Sequence, residues 1–168
     1  MRRLRYLVVG TLALACAPLA RAECERLFEA LDKADRQDRV AQYLVEGRDQ
    51  PLPAKPLTVR IGKVVYDGSL PGNTFEPHQT DGVNPILRAL RKAKQEGKVK
   101  CEPAGSDVYR GQAVEKFRFD NPLMPAQYNP TIVWVAKNTD MPILHEVHDF
   151  GGFVWAYGSA VKDPVVKK

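Results

Sequence analysis

No motif in this sequence names a reaction. It has no Gly-x-Ser-x-Gly elbow, no glycine-rich phosphate loop ahead of a helix, and no pair of carboxylates that stands out for glycoside cleavage. Ser69, Ser106 and Ser159 fall in turns or strand ends without a recognisable histidine partner, which argues against a serine nucleophile. Cysteine is scarce, at three residues, and none forms a close Cys-x-x-Cys pair, so a redox centre is not indicated. Internal repeats and low-complexity blocks are lacking. The longest apolar run, residues 7–14, is too short to cross a bilayer. Nothing calls for a cofactor.

What the chain does carry is an address. Arg2, Arg3 and Arg5, the apolar run after them and the small residues Ala20 and Ala22 have the layout of a secretory signal peptide cut after Ala22. The competing reading is lipidation at Cys16. It places the large Leu14 where a lipobox wants a small residue, so cleavage after Ala22 is the favoured expectation. Of 25 Lys+Arg, the arginines at 2, 3, 5 and 21 leave with the leader, and the remaining 21 face 20 Asp+Glu. A nearly neutral mature chain has no general field for holding nucleic acid. One basic cluster remains, at Arg88, Arg91, Lys92, Lys94, Lys98 and Lys100. It reads first as the solvated face and C-terminal end of a helix. Peripheral contact with anionic headgroups through Arg88, Arg91, Lys92 and Lys94 is the second reading.

Cys24 and Cys101 stay behind as one pair in an oxidising compartment, and a disulfide between them is expected. In the chain-entropy model a bridge closing the 77 residues between these positions contributes about 4 to 5 kcal/mol. The 146 residues after the leader suit one hydrophobic core. The expected organisation is a leader at 1–22, a single domain at 23–160 and a disordered tail at 161–168.

Along the domain, residues 24–45 place Leu27, Leu31, Ala34, Ala41 and Leu44 at helical spacing, with a polar middle where the helix lies on a surface or breaks. Residues 57–67 alternate and predict a strand, and 68–82 predict a loop. Asn84 and Pro85 announce a helix that Gly97 ends. Strand character then dominates: 99–102, a turn at 105–107, 112–120, a proline-rich connector at 121–130, and strands at 131–137, 142–150 and 153–159. The prediction is an α+β domain, a curved antiparallel sheet packed on one or two helices.

The phrase from Thr131 to Pro142, TIVWVAKNTDMP, resembles a strand-turn-strand seen in periplasmic proteins of the LolA-like, half-open β-barrel group. Gly111 to Phe117 before it and Trp155-Ala156-Tyr157-Gly158 after it are similar to the same group, so the resemblance spans mainly residues 111–159. It implies a binding protein with an apolar cavity between sheet and helices. A cystatin-like sheet wrapped round a helix is the neighbouring alternative fold.

His145-Glu146-Val147-His148-Asp149 is the best candidate for metal chemistry, as in a metal-dependent hydrolase. On a regular strand, positions 145 and 148 point to opposite faces, so no metal site is expected. The better clue is aromatic. Phe153, Trp155 and Tyr157 share one strand face, Trp134 lies in the preceding part of the sheet, and Phe117 and Phe119 are placed to join them. Such a row is either core or the lining of an apolar site, with His145 or His148 as the nearest polar group. The expected function is capture of an apolar small molecule, a lipid or a partner segment. An immunity or inhibitor protein acting on an envelope enzyme is the alternative.

Overall fold

The computed structural model describes residues 17–68, 74–82 and 84–166, with only the backbone described for 17–24. Helix α1 (Ala17–Asp35) is followed by β1 (Arg39–Val45), β2 (Thr58–Ile61), β3 (Val64–Asp67), β4 (Glu76–Gln79) and α2 (Pro85–Gln95). Five longer strands complete the chain: β5 (Lys100–Tyr109), β6 (Gln112–Asp120), β7 (Thr131–Ala136), β8 (Met141–Val147) and β9 (Gly151–Tyr157). All nine strands join one curved, antiparallel, open sheet in the order β4-β3-β2-β1-β9-β8-β7-β6-β5. The fold class is therefore the α+β sheet with helices that the residue pattern predicts.

Several elements differ from expectation. The helix expected over 24–45 stops at Asp35, and residues 39–45 form a strand, because β1 is hydrogen-bonded on both sides, to β2 and to β9. Pairing on two edges outweighs the helical spacing of Ala41 and Leu44. The single strand expected over 57–67 is a hairpin, turned at Gly62, whose positive φ of 57° suits glycine. The expected loop contains β4, paired with β3. The turn expected at 105–107 is a register shift inside β5, between Pro103 and Ser106. The chain reverses at Arg110-Gly111, both with positive φ, as a two-residue hairpin turn requires.

Helix α2 is built as its sequence suggests. The Asn84 side chain accepts hydrogen bonds from the Ile86 and Leu87 amides, Pro85 takes the first turn, and Leu87, Leu90 and Ala93 are buried. The tail expected to be disordered is docked instead. Val161 is buried, Arg39 donates to the Val161 carbonyl and pairs with Asp163, and Val166 bridges Phe75. Residues 167–168, the last two of that tail, lie outside the described residues.

The sheet carries a core on each face. On one side, Phe117, Phe119, Val133 and Val135 pack under Leu27, Phe28 and Ala30 of α1 and Leu87 and Leu90 of α2. On the other, Val114, Trp134, Leu144 and Val154 pack with Val45 and Tyr109, and Ala41, Val59, Phe75 and Val161 extend the apolar layer toward β4. Cys101 sits in the helix-side core and is disulfide-bonded. The Cys24 side chain lies outside the described residues.

Candidate functional site

Strand register divides the predicted aromatic row between the two faces. His145 stands opposite Phe153 and Val133, on the helix side, whereas Trp134 stands opposite Leu144, on the reverse. Trp134 is therefore a core residue, 2 % exposed, and not a neighbour of Phe153 and Trp155. Its indole Nε1 donates to Glu146 Oε2 at 2.7 Å, Tyr109 meets its ring edge-on, and Arg48 and Lys116 lie over it. Phe117 and Phe119 share the helix-side face with Phe153, but both are buried beneath the helices, with Phe28 packed edge-on against Phe119. Tyr157 is anchored through its hydroxyl, which donates to the Pro142 carbonyl at 2.6 Å. Burial raises its pKa, so it remains a protonated donor.

The residues that do come together form a ladder. Trp155 stacks parallel on His145 with centroids 6.1 Å apart, His145 meets Phe153 at 6.3 Å, Phe153 meets Phe150 at 6.1 Å, and Phe150 meets Tyr128 at 6.0 Å. Strand alternation puts His145, Phe153 and Trp155 on one face, and the β8–β9 turn delivers Phe150 to its end. Helix α1 packs chiefly on β5, β7 and β8. The ladder continues from β8 onto β9, beside β1, where Leu44 stands opposite Phe153. Phe150 is 46 % exposed and Leu44 40 %, with Phe153 and Trp155 half-buried. Tyr128 and Phe150 were not legible as members, since one lies in the connector and the other in a turn.

Gly151 and Gly152 allow this arrangement. Gly151 has φ 102°, and a Cβ there would collide with the Val45 carbonyl oxygen; one at Gly152 would stand 2.8 Å from the His145 carbonyl. Only glycine lets β9 enter so close to β1 and β8.

His145 is the unusual member. Its Nε2 is buried and is the atom without a hydrogen-bond partner among the described residues. Burial pushes its imidazole down to about 4, so the ring is neutral at neutral pH. His148 lies in the exposed turn beside Asp149, with Nε2 3.3 Å from the carboxylate. Among the described residues no three His, Cys, Asp or Glu side chains are placed to hold a metal ion. The candidate hydrolase centre thus divides into a half-buried ring with an enclosed Nε2 and an exposed ring.

On the reverse face an open groove of about 630 Å³ runs between Arg48, Glu46, Pro130, Ile132, Glu146 and Phe150. The segment after β1 crosses this face: Arg48 lies 3.9 Å from Asp107 and Arg110 donates to the Gln50 carbonyl at 2.6 Å. Five of the six cations of the predicted basic cluster are engaged by carboxylates. Arg88 pairs with Asp81, Arg91 with Asp32, Lys94 with Glu25, and Lys92 and Lys98 both with Glu96.

No family model and no curated protein matches this chain. Among solved structures it is similar to the crystal structure of Mycobacterium tuberculosis lipoprotein LppX, at 17% sequence identity and a TM-score of 0.42, over 89% of this chain and 98% of that one. A likeness this distant bears on neither ligand nor activity.

Proposed function

We propose that this chain is an exported binding protein of the bacterial envelope that takes an apolar, lipid-like ligand against the ladder of Phe150, Phe153, His145 and Trp155. The carrying observation is a contiguous row of rings left half-open beside an exposed Leu44, whereas Phe28, Phe117, Phe119, Tyr109 and Trp134 are core. Apolar rings that helices do not cover are sites where a ligand gains by leaving water. Export rests on the leader at 1–22. Cutting it after Ala22 would leave residues 23–35 of α1, which still include Leu27, Phe28 and Ala30 of the core. The Cys24–Cys101 bridge would then hold the new amino end on β5.

Native mass spectrometry of the protein, expressed with its own leader and recovered from the periplasm, tests this reading. Expected is a chain beginning at Glu23, oxidised, carrying an apolar adduct. A bare oxidised mass together with a stoichiometric envelope-protein complex would replace it with the inhibitor-type alternative.

A further inference from the structure

A buried polar atom without a partner asks for an explanation, because an unmet imidazole nitrogen costs free energy that packing must offset. His145 Nε2 is such an atom, and it sits in the middle of the ladder, its ring stacked on Trp155 and touching Phe153. Its neighbours offer no compensation. From β9 the facing residues are Phe153, Trp155 and Tyr157, the last a neutral hydroxyl already bonded to Pro142. From β7 the facing residue is Val133. From α1 the charged side chains along its described length are Glu25, Arg26, Glu29, Asp32, Lys33 and Asp35. Glu25 is held by Lys94, Arg26 by Glu115, Asp32 by Arg91 and Lys33 by Asp140. Glu46, Glu146 and Lys116 belong to the reverse-face groove or to Trp134. Among the described residues, burial is what acts on the ring, and it disfavours the charged form.

We infer that His145 is an acid-operated latch on the ligand site: protonation expels its ring from the Trp155 stack and opens the ladder, so that bound ligand is released as pH falls. This rests on the ladder being the binding site. A charged imidazolium enclosed here loses more hydration than the Trp155 face returns as a cation–π contact, whereas turned outward it is solvated and its pKa returns toward the ordinary histidine value of about 6.5. The ladder holds at neutral pH and loosens on acidification, because the open form binds the proton more tightly. With about 4 for the closed ring and about 6.5 for the open one, the closed-to-open ratio falls roughly 30-fold between pH 7.5 and pH 5.

The test uses diphenylhexatriene, an uncharged hydrocarbon fluorophore, titrated with the full protein at pH 7.5 and pH 5, beside His145→Phe. The quantity compared is the ratio of affinities at the two pH values within each protein. Expected is a fall of at least about twofold for the wild type, with the roughly 30-fold change in the closed-to-open ratio as its ceiling, and a ratio near one for His145→Phe. Binding at pH 7.5 that persists unweakened at pH 5, or an equal fall in both proteins, overturns the latch and leaves the binding site standing. Failure of the wild type to bind at pH 7.5 overturns the binding reading itself. If His145→Phe does not fold, the carbon resonance of the His145 ring in the wild type decides. A midpoint between about 5 and 6.5 coupled to a Trp155 shift supports the latch, and a titration that leaves the Trp155 resonances unmoved contradicts it.

Discussion

Truncating the two tryptophans separates core from site. Trp134 is enclosed by Tyr109, Leu144, Val154 and Val114, is 2 % exposed, and bonds Glu146. Trp134→Ala removes a fully buried indole and leaves a cavity, a change worth about 3 to 5 kcal/mol. Trp155 is half-buried, and its main ring contact is the stack on His145. Trp155→Ala forfeits part of its apolar burial and one ring pair, about 1 to 2 kcal/mol. With a urea slope of about 2 kcal/mol per molar, the midpoints move by roughly 2 M for Trp134→Ala and by less than 1 M for Trp155→Ala. Urea titrations followed by far-ultraviolet circular dichroism read both. Equal midpoint shifts would show Trp155 to be core, and the argument for a site on β9 would collapse.

The remaining predictions concern pH, the β9 entry and the bridge. His145 binds its proton less readily in the folded chain, about 4 against 6.5, so its contribution is complete above pH 6.5 and is lost as pH falls toward 4. The loss amounts to about 3 kcal/mol at most. It is read as a urea midpoint that declines more steeply over that window in the wild type than in His145→Phe, where carboxylates such as Glu96 and Asp107 still titrate. Gly151→Ala forces a side chain into the Val45 carbonyl at φ 102° and is expected to cost about 2 to 4 kcal/mol by thermal melting; a melting temperature like the wild type would refute the close approach. Cys101→Ser is expected to cost about 4 kcal/mol under oxidising conditions and nothing relative to the reduced wild type, and a penalty that persists under reduction would assign the effect to packing.

The parts of the fold legible in sequence were those with local causes. The Asn84 cap, Pro85 and the stripe at Leu87, Leu90 and Ala93 specify α2 without help from the rest of the chain. The run around Trp134 is apolar enough to read as a strand with both faces buried, as β7 is. What escaped was set at a distance. Residues 39–45 carry helical spacing, but β2 and β9 claim both of their edges. The face of Trp134 relative to Phe153 depends on how β7, β8 and β9 register. The shift between Trp134 and Val135 in the β7–β8 pairing is invisible in a count of residues. The ladder was half visible: Phe153 and Trp155 follow from alternation, the choice of His145 over His148 waits on the β8–β9 register, and Phe150 and Tyr128 join through a turn and a connector whose paths only tertiary structure fixes.

The central claim is that the half-open ladder, and not the buried aromatics, holds an apolar ligand. Its most direct measurement is diphenylhexatriene binding at pH 7.5 by the wild type and by the Phe153→Ala/Trp155→Ala double variant, with circular dichroism confirming that both are folded. The account predicts saturable one-to-one binding by the wild type and at least a tenfold loss in the folded double variant, about 1.4 kcal/mol or more. Equal binding by both proteins, or none by the wild type, would contradict it.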